Sequence, residues 1–131
     1  MTEASKPVRV YVVDDDPAVV ESTAFLARAL GYECVTFASP EELMAQLDGL
    51  AAGCVLSDLR MPGMSGFDLA AALRGKTIGW PMILMSSENG PHIDRMARAH
   101  GFSTFLHKPL DSAMLASALD AACASLAPNE G

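Results

Sequence analysis

Long apolar runs are missing from this chain, and a membrane-spanning helix needs about 20 such residues in a row. Basic residues are scarce too: 9 Lys and Arg stand against 16 Asp and Glu, a formal charge of −7. That balance argues against direct binding to nucleic acid or to an anionic membrane. There are three cysteines (Cys34, Cys54, Cys123), an odd count without metal-ligand spacing. They read as small core hydrophobes in a reducing cytosol. The opening residues Met1 to Lys6 lack a basic stretch followed by an apolar one, so the expected location is cytoplasmic. No internal repeat and no low-complexity tract is present, and 131 residues fit one domain.

Apolar residues, in contrast, make up 50% of the chain, enough for a core without covalent staples. They fall into short β-branched runs alternating with amphipathic segments. Val8–Val13 predicts a first strand. Asp16-Pro17 then reads as an N-cap with Pro at the first helical position, and Val19, Thr23, Leu26 and Leu30 form a stripe that Gly31 ends. Glu33–Phe37 predicts a second strand. Ser39-Pro40-Glu41-Glu42 predicts a helix start, with Leu43, Leu47 and Leu50 inward. Strand three is expected at Cys54–Ser57, helix three from about Phe67 to Arg74, and strand four at Pro81–Met85. Helix four is expected from about Pro91 to His100, strand five at Ser103–Leu106, and a last helix behind Asp111. Leu115, Ala118, Leu119, Ala122 and Leu126 mark the buried side of that helix. Residues 1–7 and 127–131 read as flexible flanks of a domain over 8–126.

The resulting pattern is a doubly wound α/β fold, (βα)5 and flavodoxin-like, with a parallel five-stranded sheet covered on both faces. Such sheets place their sites at the carboxyl ends of the strands. Strand one ends in Asp14, Asp15 and Asp16, strand three in Asp58, strand four in Ser86 and Ser87, and strand five in His107, Lys108 and Pro109. Carboxylates gathered in one pocket repel one another and need a cation. Hard oxygen ligands favour Mg²⁺, which also likes phosphoryl oxygens. A carboxylate can attack phosphorus to give an acyl phosphate, and the developing charge then needs a fixed cation and hydrogen-bond donors. Lys108 and Ser86 are of the right type for those tasks. Taken singly, each feature has an ordinary reading: Asp14 to Asp16 as a solvated helix start, Asp58 and Lys108-Pro109 as loop residues, Phe105 as core.

Taken together and in order, the four strand-end motifs resemble the receiver domain of bacterial response regulators. They are Val-Val-Asp14-Asp15-Asp16, Ser57-Asp58-Leu-Arg-Met-Pro62-Gly-Met-Ser-Gly66, Leu-Met-Ser86-Ser and His-Lys108-Pro109. The likeness runs from about Val8 to Ala124. The Asp-Leu-Arg-Met-Pro and Phe-Ala-Ser-Pro-Glu-Glu-Leu stretches look most like receivers that precede LuxR-type DNA-binding domains. The resemblance implies that Asp58 is phosphorylated. It implies that Asp15, Asp58 and the Arg60 backbone carbonyl bind Mg²⁺, with Asp14 assisting through water, and that Ser86 and Lys108 bind the phosphoryl group. Pro62, Gly66 and Pro109 fall at structural positions, with Lys108-Pro109 as a cis peptide. Ser86 and Phe105 fall at the switch positions, coupling the pocket to the face of helix four, strand five and helix five. Ser87 is larger than the Ala or Gly often found there and narrows access. Arg60 and Glu88 flank the path of attacking water, where a pair across the mouth is expected to slow dephosphorylation. His107 has no evident role in the family.

The resemblance further implies a histidine kinase or histidine phosphotransfer protein as phosphodonor, and a downstream protein met through the helix four to helix five face. It also implies weak homodimerisation and no turnover enzyme beyond self-phosphorylation and self-dephosphorylation. The chain would be either free-standing or the front of a longer transcriptional regulator. Competing classes fit less well. A phosphohydrolase of the haloacid dehalogenase type needs a second Asp two residues after its nucleophile, where Arg60 stands. A flavin carrier on this topology needs a hydroxyl-rich loop after strand one, where three aspartates stand. A degenerate, partner-binding receiver would lack part of the set Asp14, Asp15, Asp58, Ser86 and Lys108.

Overall fold

A computed structural model describes residues 8–88, 90–124 and 126. The expected flexible flanks, 1–7 and 127–131, lie outside them. The elements are β1 (Arg9–Val13), α1 (Pro17–Ala29), β2 (Glu33–Phe37), α2 (Pro40–Gln46), a 3-10 turn (Leu47–Gly49), β3 (Gly53–Asp58), α3 (Gly66–Gly75), β4 (Met82–Ser86), α4 (Pro91–Ala99), β5 (Thr104–His107) and α5 (Ser112–Ala124). The strands form one parallel sheet in the order β2-β1-β3-β4-β5. This is the expected (βα)5 flavodoxin-like arrangement. Strand order reverses between β1 and β3, so the connections leave their carboxyl ends in opposite directions and open a crevice there.

Period-2 alternation divides the strands between two cores. Tyr11, Val13, Val55 and Leu84 face one side, with Leu43 of α2, Leu69 and Leu73 of α3, and Ile93 of α4. Val10, Val12, Cys54, Leu56, Ile83 and Met85 face the other, with Ala27 of α1 and Leu115 and Leu119 of α5. Burying one Leu- or Val-sized side chain contributes about 1.5–3 kcal/mol. The sheet therefore holds its position through both faces at once, and a shift of one strand end is resisted from either side.

Helix ends follow the expected chemistry in most places. Asp16 accepts from the Ala18 and Val19 amides, Ser39 from Glu42, and Asp111 from Ala113 and Met114. Gly31 and Gly101 take positive φ just past α1 and α4. Ser65 and Asp68 form a full capping box that starts α3 at Gly66, a cap the sequence reading passed over.

The buried face of α1 differs from the expected stripe. Thr23, Ala24 and Ala27 are buried, Val19 and Leu26 are half-buried, and Leu30 is exposed. Alanines let a helix lie close to a sheet, which turns the bulkier residues toward the flank. On α5 the stripe includes Cys123. Its thiol is hydrogen-bonded to the thiol of Cys54, and that contact together with burial pushes Cys54 well above the ordinary thiol range. All three cysteines are free. His100 is half-buried at the end of α4. It stacks on Phe67 at 4.0 Å, and its carbonyl accepts from Arg74 Nη1 at 2.7 Å, because the end of α4 docks against α3. No described helix is long and apolar enough to cross a membrane.

Candidate functional site

The β1 end delivers Asp14, Asp15 and Asp16 into the crevice, but the three carboxylates do different things. Asp14 is buried, and its Oδ1 accepts from the Asp16 amide at 3.0 Å, which fixes its rotamer toward the sheet. Asp15 is exposed at the rim. Asp16 turns away to cap α1. Asp58 closes β3 next door and is only 8% exposed. Ligand oxygens of Asp14, Asp15 and Asp58 lie within 4.8 Å of one another.

One cation sits in this cluster. Lys108 Nζ donates to Asp14 Oδ2 at 2.8 Å and lies 3.0 Å from Asp58 Oδ1. It arrives there because its own amide donates to the Ser86 carbonyl at 2.9 Å, continuing the β4–β5 ladder one residue beyond β5. The Lys108-Pro109 peptide is cis, as the resemblance implied. Burial works against the Lys108 charge, but its hydrogen bonds to Asp14 and Asp58 outweigh that and leave its pKa above the usual value. Asp58 is also raised: burial is the main cause, with the Asp14 charge adding to it, and the Lys108 hydrogen bond offsets only part. One ammonium between two carboxylates leaves the pocket short of positive charge.

The backbone around Asp58 is tightly specified. Ser57 Oγ donates to the Asp58 carbonyl at 2.8 Å, and the Gly66 amide donates to the Leu59 carbonyl at 2.9 Å. A Cβ on Gly66 would sit 2.5 Å from the Asp58 carbonyl oxygen, so only glycine lets α3 begin so near β3. Pro62 lies exposed in the loop between them. Farther out, Glu41 of α2 accepts from the Met64 amide at 3.3 Å and ties this loop to the neighbouring helix.

The mouth is framed by Arg60 and Glu88. The Arg60 guanidinium donates to both Glu88 carboxylate oxygens, through Nε and through Nη2, in the fork geometry typical of Arg. The pair raises Arg60 and lowers Glu88 from their ordinary values, hydrogen bonding being the main cause in each. The expected pair across the mouth is thus present. Ser86 is buried at the β4 end, where its Oγ accepts from the Glu88 amide at 3.0 Å. Phe105 is half-buried in β5, opposite Leu84 and packed against the α2–α4 side of the core. His107 has a contact that sequence reasoning missed: its Nε2 lies 3.0 Å from the Ser87 carbonyl oxygen. Only its place beside Lys108 hinted at this.

Asp14, Asp15, Asp58, Ser86 and Lys108 are thus gathered at one sheet edge from positions far apart in sequence. Three hard carboxylates with too little positive charge fit a divalent cation of the Mg²⁺ type. An ionised Asp58 with a fixed ammonium beside it has the composition of a nucleophile with its charge stabiliser.

Comparison with known proteins agrees with this fold. The chain is 30% identical over 119 residues to the transcriptional regulatory protein FixJ of Bradyrhizobium diazoefficiens, an alignment covering 91% of this chain and 58% of that protein. The FixJ of Azorhizobium caulinodans is 34% identical over 112 residues, covering 86% and 53%. The chain spans about half the length of the curated relatives it matches. Among solved structures, the FixJ-N crystal structure superposes with a TM-score of 0.86 at 27% identity, covering 95% of this chain and 99% of that one. The sequence profile of the response regulator receiver domain matches residues 10–120, and the chain therefore belongs to the response regulator receiver domains of two-component systems.

Proposed function

We propose that this receiver is switched by Mg²⁺-dependent phosphorylation of Asp58, with a histidine kinase or histidine phosphotransfer protein as donor. The observation that carries the reading is the placement of Lys108 Nζ between Asp14 and Asp58, beside a third carboxylate from Asp15. Asp15 and Asp58 would hold the metal by their side chains and Arg60 by its backbone carbonyl, with Asp14 assisting through water. A bound Mg²⁺ supplies charge neutralisation for phosphoryl oxygens.

The chain's own groups do the rest. Asp58 uses a carboxylate oxygen as nucleophile toward phosphorus; the new O–P bond replaces the P–N bond of the donor's phosphohistidine, whose imidazole leaves with the electron pair. Lys108 turns its ammonium from Asp58 to a phosphoryl oxygen, and the Ser86 hydroxyl donates to another. As Ser86 moves toward the phosphoryl group, Phe105 rotates inward and alters the surface of α4, β5 and α5. A groove on that surface, lined by Thr104, Phe105, Met114, Ser117 and Ala118, is where a downstream protein or a second receiver would bind. The phosphodonor protein would approach from the crevice side, where Val19, Phe25, Leu26, Pro109 and Leu110 make an apolar groove next to Lys108. Phe25 is 71% exposed there. The exposed Arg60–Glu88 pair would restrict attacking water and lengthen the phosphorylated lifetime. With a formal net charge of −7, the chain would act through protein contacts in the cytoplasm and leave DNA binding to any output domain.

The test is the intact mass after incubation with acetyl phosphate. One added phosphoryl group that appears with Mg²⁺ and is lost with excess chelator is expected. Absence of any adduct, with Mg²⁺ shown to bind, would overturn phosphorylation by small donors. Absence of metal binding as well would leave a phosphorylation-independent interaction module.

A further inference from the structure

We propose that His107 is a positioning residue for the phosphoryl site, holding the Ser86–Glu88 segment in the arrangement of the unphosphorylated chain. This rests on the reading of Asp58 as phosphoacceptor. The segment leaves the sheet at Ser86, which pairs with His107 in the β4–β5 register. The last backbone link between the strands is the Lys108 amide to the Ser86 carbonyl. Beyond it, the next carbonyl, that of Ser87, is reached by the His107 ring at 3.0 Å. A carbonyl oxygen only accepts, so the ring nitrogen facing it, Nε2, carries the proton. His107 thus extends the cross-strand ladder by one side-chain bond, onto the residue after the phosphoryl-binding Ser86.

What that bond fixes is the direction of the Ser86 hydroxyl. Ser86 Oγ accepts from the Glu88 amide at 3.0 Å, and the Glu88 carboxylate is itself paired with Arg60. The segment is therefore tied at Ser87 from β5 and at Glu88 from the β3–α3 loop. Donation to a phosphoryl oxygen on Asp58 would use the hydroxyl's own proton, so the Glu88 amide bond can persist, and the move of Ser86 toward the phosphoryl group under the proposed function would carry the segment with it. Among the described residues, the His107 bond is one of two side-chain ties from outside the segment that oppose this movement. His107 also lines a small hollow with Leu106, Leu110, Asp111 and Met114, on the β5–α5 side of the molecule. A side chain at the output face thus touches the loop that carries Ser86, and occupation of that hollow would alter the same restraint.

Two variants separate the hydrogen bond from the bulk of the ring. His107→Leu removes the donor, and His107→Gln keeps an amide donor that can reach the same carbonyl. Two readouts are taken: hydrogen exchange at the Glu88 amide without metal or phosphodonor, and affinity for beryllofluoride in the presence of Mg²⁺. His107→Leu is expected to speed exchange and tighten beryllofluoride binding, each about fivefold, the equilibrium equivalent of one neutral hydrogen bond. His107→Gln is expected to restore both to wild-type values. Unchanged exchange in His107→Leu overturns the proposal, and so does His107→Gln behaving like His107→Leu. Faster exchange with unchanged beryllofluoride affinity reduces His107 to a local tie and overturns its positioning role. A wild-type protein that binds no beryllofluoride and takes no phosphoryl group ends the phosphoacceptor reading instead, while the metal-free exchange comparison still decides the restraint.

Discussion

The two ends of the same five strands are built to opposite rules. At the amino ends, Tyr11 stacks on Trp80 at 5.5 Å and donates its hydroxyl to the Ala51 carbonyl at 2.5 Å. Cys54 meets Cys123 in the apolar core. At the carboxyl ends, two buried carboxylates share one ammonium and a third waits at the rim. Burial and like charge raise Asp58 instead of lowering it. The lesson is that the amino ends supply stability and the carboxyl ends hold an unfinished charge arrangement, which a metal and a phosphoryl group would complete.

The sharpest way to break this contrast is Asp58→Asn, which is expected to abolish the Mg²⁺-dependent phosphoryl adduct while keeping the fold. The same variant tests the electrostatics. A carboxyl whose pKa is raised on folding favours the folded state at low pH and opposes it once ionised. Metal-free Asp58→Asn should therefore melt above wild type at neutral pH. That advantage should shrink as the pH falls through the Asp58 titration. An Asn variant that melts lower at neutral pH would contradict the strained-end picture. Next in size is Lys108→Met. Loss of a charge stabiliser at the reacting centre is expected to slow phosphorylation about 100-fold. Removing the ammonium also takes away what lowers Asp58, so a carbon-detected NMR titration should find Asp58 shifted further upward.

At the other end of the strands, Tyr11→Phe removes one hydrogen bond and is expected to cost about 1 kcal/mol in urea unfolding. Its phosphorylation rate should match wild type, and a slowed rate would show that the two ends are coupled. Arg60→Ala should shorten the phosphorylated lifetime a few-fold, roughly the scale of one exposed ion pair; an unchanged decay of the adduct would remove the pair from the mechanism. Smallest of all, Trp80 emission should barely respond to Mg²⁺, because its ring lies against Tyr11 at the far end.

The legibility of the molecule divides along the same line. The alternation of five strands with five helices followed from apolar periodicity and from caps such as Asp16 and Ser39, which are local signals. The candidate site was legible because Asp14 and Lys108 directly follow a strand and Asp58 and Ser86 close one, and the topology brings those strand ends together. What the sequence did not reveal depends on packing. The small residues Ala24 and Ala27 displaced Leu30 from the buried face of α1, since close approach to the sheet outweighed side-chain hydrophobicity. His100 became part of the α3–α4 contact only once Phe67 stood opposite it. The His107 contact with Ser87 joins residues 20 apart, through a carbonyl that no sequence pattern marks.

Chemical trapping decides whether Asp58 is the group that carries the phosphoryl. Borohydride reduces an acyl phosphate to the alcohol, so a phosphorylated aspartate becomes homoserine and can be located by peptide mass. After treatment with Mg²⁺ and acetyl phosphate, homoserine at position 58 and at no other aspartate is the predicted result. Homoserine at Asp14 or Asp15, or an adduct that survives in Asp58→Asn, would contradict the account.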